Sequence, residues 1–406
     1  MPNPYAMLLR IPGAAAFSGS GLVARLPIAM VGIAVVLLIG EETGSYAVAG
    51  AVAATTALAE AVISPQAARL IDQYGQRRIG LPQLAIHVLG MLCLVFAVRL
   101  DAPRWTYVPA AVLAGFIPNI GSMVRARWRY VLPSGVMLRT AFSLESALDE
   151  VAFVVGPPLV TVVAARWSPS AAIVVLVIGF GVGGGLTLLS QRATEPRAAG
   201  PAEAGQGSAL RHRGMVDLVV VLAFLGGIFG AVEVVTVAWA SEAGHPARAG
   251  FVLACYAAGS LIAGLTYGVR HPASPLQRQL LVGCWAMAVC TTGFALVTTP
   301  VELSAVAFVA GFAIAPTLVV SFSLIERLVP REQLTEGLTW LTTGIVVGIS
   351  LAAPLAGRAV DAVGPHRAYL VAVASGVLAA VTGTALRGRL TPPATAWPAH
   401  TAPEGA

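Results

Sequence analysis

The sequence predicts an all-α membrane protein, with twelve transmembrane helices arranged as two pseudo-symmetric six-helix bundles. Three observations lead there: an apolar composition with few charges, a succession of apolar runs of membrane-crossing length, and a second half that repeats the first. Of 406 residues, 57% are hydrophobic and 11% charged, with a mean hydropathy of +0.81, whereas a soluble domain carries roughly 25% charged residues. A water-facing surface of ordinary size cannot be built from so few charges. Apolar runs of about 20 residues each suffice to cross a hydrocarbon core of ~30 Å.

In chain order the spans fall at 16–39, 46–67, 79–98, 106–124, 141–163, 171–190, 217–240, 248–268, 279–298, 303–325, 337–356 and 368–386. Charged or Pro/Gly-rich turns separate them. The first follows a short stretch and is followed at once by another, so it reads as a helix and not as a cleaved signal. The repeat appears at offsets of 196 to 200 residues. Glu42, Gly44, Ala49, Gly50 and Val52 recur as Glu242, Gly244, Ala249, Gly250 and Val252, and Ala114-Gly115-Phe116 recurs as Ala310-Gly311-Phe312. Paired halves of this kind place a substrate site between them near the bilayer midplane. The expected organisation is an N-terminal bundle over 1–190, a cytoplasmic linker over 191–214, a C-terminal bundle over 215–388 and a Pro/Ala/Thr-rich tail over 389–406, disordered and cytoplasmic.

All 25 basic residues are Arg, and the chain has no Lys. That removes a Walker A loop and Schiff-base chemistry, and with them an ATP-driven engine within this chain. The four cysteines, Cys93, Cys255, Cys284 and Cys290, lie in apolar stretches as small hydrophobes and form no disulfide pattern. Eighteen arginines fall on one set of loops, six on the other, and Arg25 within a span. This bias puts both termini and the linker inside. Trp105, Trp128, Trp167 and Trp239 fall at span ends, where an amphipathic ring prefers the headgroup region. The Arg-only, Ala/Gly/Val-heavy composition points to a GC-rich bacterial genome and hence to the cytoplasmic (inner) membrane.

Between the second and third spans lies Ala68-Arg69-Leu70-Ile71-Asp72-Gln73-Tyr74-Gly75-Gln76-Arg77-Arg78. It resembles the cytoplasmic motif of the major facilitator superfamily, Gly-x-Leu-x-Asp-Arg-x-Gly-Arg-Arg, with Leu70, Asp72, Gly75 and Arg78 in register. Ala68 and Gln73 depart from it. The resemblance implies a latch, closed in one access state and broken in the other, built from Asp72, Gly75, Arg77 and Arg78 with a fourth-span arginine, Arg125, Arg127 or Arg129. Read without the resemblance, the same residues make a solvated positive-inside turn. Gly156-Pro157-Pro158 in the fifth span resembles the Gly-Pro core of a motif in proton-coupled exporters of that superfamily; its alternative is a Pro kink with the freed carbonyls satisfied by neighbours.

An ionisable group at bilayer depth costs about 2.5 kcal/mol or more, so each needs a reason. At ~1.5 Å per residue, Arg25, Glu60, Glu150 and Glu233 lie within about 6 Å of the midplane, with Glu145 and Asp149 nearer the cytoplasmic end. Desolvation and a nearby Arg act oppositely on a carboxylate, so one that alternates between those surroundings loads and releases a proton. Glu60 and Glu150 are the first candidates for proton coupling, with Glu233 next and Arg25 as the partner that sets their affinity. The alternative, ion pairing with Arg139 or the fourth-span arginines, suits Glu145 and Asp149 better. His87 reads as a hydrogen-bonded packing residue. Asn119 and Pro316, mid-span on the fourth and tenth spans, are candidates for the substrate cavity.

The expected function is a secondary active transporter exporting a small apolar or amphipathic compound against proton entry by alternating access. Metabolite uptake by proton symport, or a non-transporting sensor or assembly partner of the same fold, are the alternatives. The expected partners are a small-molecule substrate, protons and the lipid bilayer, without nucleic acid and with the monomer as the working unit. No enzyme, cofactor or metal is expected, because the spans lack paired His, Cys/His clusters and Ser/His arrangements.

Overall fold

A computed structural model describes residues 3–43, 46–133, 135–200, 207–242, 247–270, 272 and 274–389. Residues 201–206 of the expected linker and 390–406 of the expected tail lie outside the described residues. Each of the twelve predicted spans is met by helix, and no strand occurs among the described residues. The first, α1, runs Ala14–Arg25 and resumes as Val31–Thr43. It breaks because Pro27 has no N–H to donate, and the chain crosses the gap in turns closed by Ile28 N–H to Arg25 C=O and Met30 N–H to Pro27 C=O. Then come α2 (Tyr46–Tyr74), α3 (Gln76–Arg99), α4 in two pieces (Tyr107–Ala114 and Ile120–Val131), α5 (Val136–Arg166) and α6 (Pro169–Ser190). In α6 the all-apolar stretch Val174–Val182 is wound as a π-helix.

The second series is α7 (Met215–Glu242), α8 (Ala247–Arg270), α9 (Leu276–Phe294), α10 (Pro300–Gly311 and Ile314–Leu328), α11 (Leu334–Val363) and α12 (Leu370–Ala385). Among the described residues nine helices are long and apolar enough to cross a membrane. The other three are the divided α1 and α4, and α9, which opens on polar Gln277-Arg278-Gln279.

The chain divides into two compact units, Met1–Tyr130 with Leu144–Gln206, and Val131–Ser143 with Gly207–Ala406. The α4–α5 connection and the start of α5 thus belong to the second unit, where Thr140 Oγ1 donates to Gly268 C=O at 2.9 Å. The core of the first unit is a layer of fully buried Leu38, Leu94, Ala111, Val160 and Ile173 from α1, α3, α4, α5 and α6.

In the second unit α7 and α11 meet backbone to backbone. Each carries a Gly-x-x-x-Gly pair, Gly226 and Gly230 on α7 and Gly344 and Gly348 on α11. A Cβ would lie 2.1 Å from Ile345 O at Gly226, 2.7 Å from Ile349 O at Gly230, 2.8 Å from Val219 O at Gly344 and 1.8 Å from Ala223 O at Gly348. Without water to drive association inside a bilayer, helices gain from such close van der Waals contact, and small residues permit it. Gly348→Leu is expected to lower stability by about 3 kcal/mol or more, through overpacking against an immovable backbone. Gly357→Ala, in the same helix but with nothing within 4 Å of its Cβ, is expected to gain about 0.5–1 kcal/mol. Thermal unfolding of the two purified variants in detergent reads both; equal midpoints would contradict the contact.

Candidate functional site

The charges predicted within the spans of the first unit do not lie scattered; three of them form one network with Arg125 of α4. Arg25 ends the first piece of α1, where a cation is favoured by the helix C-terminus. Glu145 and Asp149 stand one turn apart on α5 and so share a face. Arg25 Nη2 is ion-paired to Glu145 Oε2, and its Nη1 reaches Asp149 Oδ1 at 2.7 Å. Arg25 Nε donates to Gly21 C=O at 3.2 Å. The other oxygen of Asp149 accepts from Arg125 Nη2 on α4 at 2.7 Å. Glu145 Oε1 accepts from Ser18 Oγ at 2.6 Å and Trp128 Nε1 at 2.7 Å. Glu145 is fully buried and Arg25 nearly so, while Asp149 keeps 30% of its side chain exposed. Two guanidiniums and two carboxylates thus tie α1, α4 and α5 together, every carboxylate oxygen occupied, as burial of charge requires.

This corrects two expectations. Arg25 was expected to face Glu60 and Glu150; it is taken up by Glu145 and Asp149 instead. Trp128 was expected at the headgroup level; it is fully buried, edge-on to Phe17 at 4.8 Å between centroids, because its N–H answers Glu145. Trp105 and Trp167, by contrast, are exposed.

The break in α4 has its own polar support. Pro118 has no N–H for the carbonyl of Ala114, four residues back, and His87 of α3 supplies the missing donor, its Nδ1 2.5 Å from Ala114 O. Facing a carbonyl, Nδ1 carries the proton. One and three turns earlier on α3, Gln83 Nε2 donates to Ile117 C=O at 3.1 Å and Gln76 Nε2 to Met123 C=O at 2.9 Å. Asn119, a cavity candidate, caps the lower piece of α4 by accepting from Ser122 N–H at 3.0 Å. Pro316 is not mid-helix: α10 ends at Gly311 and restarts at Ile314, so Pro316 sits in a first turn, where no N–H is needed. Gly156-Pro157-Pro158 lies within unbroken α5. There a Cβ on Gly156 would come 3.1 Å from Ala29 and Met30 in the broken turn of α1, and Thr161 Oγ1 donates to Pro157 C=O at 2.9 Å.

Glu60 is half-buried on α2, where that helix meets α4 immediately before its break. A Cβ on Gly115 would lie 2.9 Å from Thr56 O and 3.0 Å from Glu60 N. Among the described residues no hydrogen bond or ion pair reaches the Glu60 carboxylate. Glu233 is exposed on α7 and likewise unmet among the described residues. Glu150 is half-buried and has a polar or electrostatic contact.

At the α2–α3 turn a single residue reverses the chain. Gly75 has φ 96°, ψ 152°, a backbone that a side chain would strain. Arg78 stacks over the Tyr74 ring, 5.6 Å from its centroid. The fourth-span arginines divide their work. Arg125 serves Asp149; Arg127 donates through Nε to Gln76 Oε1 at 2.8 Å and through Nη1 to Gln191 C=O at 2.7 Å and Thr194 Oγ1 at 2.8 Å; Arg129 is buried with a contact of its own. Glu195 Oε1 accepts from Arg77 N–H at 2.9 Å, and Asp72 C=O from Ala199 N–H at 3.1 Å. Sequence reading passed over Glu195, Thr194, Gln76 and Gln83. The glutamines left a signal, Gln76, Gln83 and His87 falling at helical spacing along α3.

A family model described as Major Facilitator Superfamily matches residues 17–305 and 244–404. The chain belongs to the major facilitator superfamily. As a superfamily member it is a secondary transporter of the membrane and not an enzyme. No curated protein matches the sequence. Among solved structures, the fold is similar to that of a bacterial homologue of the iron transporter ferroportin in an outward-facing state (15% identity over 92% of this chain and 99% of that one, TM-score 0.74). It is also similar to the E. coli fucose:proton symporter FucP (14%, 93% and 99%, TM-score 0.70) and to the proton:xylose symporter XylE (13%, 93% and 95%, TM-score 0.67).

The four-charge network of this superfamily member makes a double-substitution test decisive. Removing the charge of Glu145 alone (Glu145→Gln) leaves two buried guanidiniums with Asp149 as their one carboxylate and is expected to cost about 3–5 kcal/mol. Combining it with Arg25→Met is expected to cost less than the sum of the single changes by about 1 kcal/mol or more. Unfolding midpoints of the two single and the double variant measure the coupling, and strict additivity would show that the pair is not engaged.

Proposed function

We propose that this transporter exports a small apolar or amphipathic compound in exchange for protons by alternating access, with Glu60 as the principal proton-carrying carboxylate. The observation that carries the reading is the contrast among the acids within the spans. Glu145 and Asp149 are held by arginines, whereas among the described residues no cation meets Glu60. A proton-coupling acid has to exchange its proton, and a carboxylate pinned between two guanidiniums is poorly suited to that. Glu60 also stands beside the break in α4, the kind of discontinuity at which transporters of this architecture bind cargo and ions. Glu233 on α7 is the second candidate, and Glu150 the third. Arg25 then acts through the network and not as the partner of Glu60. Spans made mostly of Ala, Val, Leu and Gly suit loose apolar recognition.

In this reading Asp72, Gly75, Arg77, Arg78 and Arg127 form the access-state latch, and Gly156-Pro157-Pro158 shapes α5 against the turn of α1. The bundles over 1–190 and 215–388 move about the linker 191–214. The monomer works in the cytoplasmic membrane of a bacterium with both termini inside, an orientation supported by the arginine bias. Uptake by proton symport is the second reading, favoured by the similarity to the fucose:proton and proton:xylose symporters.

Vesicles with an imposed pH gradient test both, using a panel of fluorescent amphipathic dyes and, for the second reading, radiolabelled sugars. Export predicts gradient-driven dye accumulation in inverted vesicles, and uptake predicts accumulation in right-side-out ones. Glu60→Gln is expected to lower gradient-driven flux by about 10-fold or more, the scale of losing a proton-transfer group, while leaving downhill exchange of the same compound in place. Unchanged gradient-driven flux in both Glu60→Gln and Glu150→Gln would defeat the coupling assignment.

A further inference from the structure

The α2–α3 turn lacks a charge that its motif resemblance would supply, because Gln73 stands where an arginine is expected. Its neighbourhood is completed from an unexpected source. The segment after α6, Gln191 to Ala199, lies against the turn and fastens to it at three places. Arg127 is held by Gln191 C=O and Thr194 Oγ1, the first turn of α3 by Glu195 Oε1 on Arg77 N–H, and the end of α2 by Ala199 N–H on Asp72 C=O. Gly75 offers α3 no side-chain cap, so Glu195 does the work of a capping residue from 118 positions away, its negative charge set against the positive end of the helix. Thr194 is buried, with its methyl carbon 2.8 Å from where a Cβ on Gly13 would lie.

The far end of the same linker is fastened independently within the second unit. Glu336, in the first turn of α11, is buried and accepts from Ser208 Oγ and from Ala209 N–H, the latter at 3.0 Å. His212 Nε2 pairs with Gln333 Oε1 at 2.8 Å. Each end of the linker is therefore clasped by a carboxylate at the start of a helix, α3 for one and α11 for the other. Only residues 200–207 lie between the clasps.

We infer that Glu195 is a positioning residue of the transport cycle: through the cap on α3 and the neighbouring hold on Arg127, the linker sets which access state is favoured. The physical ground is that the clasp bears on Asp72 and Arg77, which in the function proposed above belong to the access-state latch. Any stabilisation that the clasp gives to one arrangement of the turn shifts the equilibrium between arrangements by that amount. The inference rests on alternating access and is independent of cargo, direction and the proton assignment to Glu60.

Spin labels at Trp167→Cys and Arg367→Cys, both exposed positions, in full-length protein with its four cysteines replaced by alanine, report the populations of access states by pulsed dipolar spectroscopy in nanodiscs. Glu195→Ala is expected to change the population ratio by roughly fivefold, the size of one capping interaction. Glu195→Asp is expected to restore it, and Arg197→Ala, an exposed neighbour, to leave it alone. Glu195→Gln, which keeps the acceptor and loses the charge, is expected to fall between and protects the test if the alanine variant folds poorly. A cap that served stability alone would lower the unfolding midpoint and leave the ratio at its wild-type value, and that result would overturn the proposal. A silent Glu60→Gln flux assay would leave this inference standing.

Discussion

A backbone polar group carried into the hydrocarbon has to be answered from within the protein, since no water is there to do it, and a buried charge needs a partner for the same reason. That constraint decides which side chains become neighbours. A proline in α4 takes one N–H away, and α3 returns it with His87, adding Gln83 and Gln76 along the same face. Arg25 enters the first unit and draws two carboxylates of α5, a second arginine of α4, a serine and an indole around it. The chemistry available for transport is what is left once these obligations are met.

The two halves meet the constraint in different ways at corresponding places. Arg25 stands on α1 and Asp149 on α5, which by helix order correspond to α7 and α11 of the second half. Where the first half joins its helices by charge, the second brings α7 and α11 into backbone contact through four glycines. A duplicated scaffold keeps its helix order because bilayer thickness and loop lengths preserve it. The means by which a pair of helices adheres is free to diverge, because charge pairing and close packing are alternative ways of holding the same surfaces.

Much of the architecture was legible because membrane thickness acts along the chain: a run of apolar residues measures its own span. The breaks at Pro27 and Pro118 have a similarly local cause, the absent N–H, although the apolar runs that contain them read as single spans. The partner of each charge was not legible. Arg25 and Glu145 are 120 residues apart, and helical spacing says that Glu145 and Asp149 share a face without saying which helix that face meets. Pro316 misled because a proline in the middle of an apolar run has two outcomes, a kink or a fresh helix start, and only the chain path separates them. Trp128 misled because position near a span end says nothing of whether an indole N–H already has an acceptor inside. Glu195 looked like one more polar residue of a linker, since a cap supplied from another segment leaves no mark in local sequence.

The network around Arg25 also has an electrical consequence. With two guanidiniums and two carboxylates it sums to zero, so displacing it as a body across a membrane voltage does no net electrical work, whereas each uncompensated charge exchanges about 2.3 kcal/mol per 100 mV. Voltage therefore takes no hold on the assembly that joins α1, α4 and α5. Any response of the transporter to membrane potential has to come from charges outside this cluster.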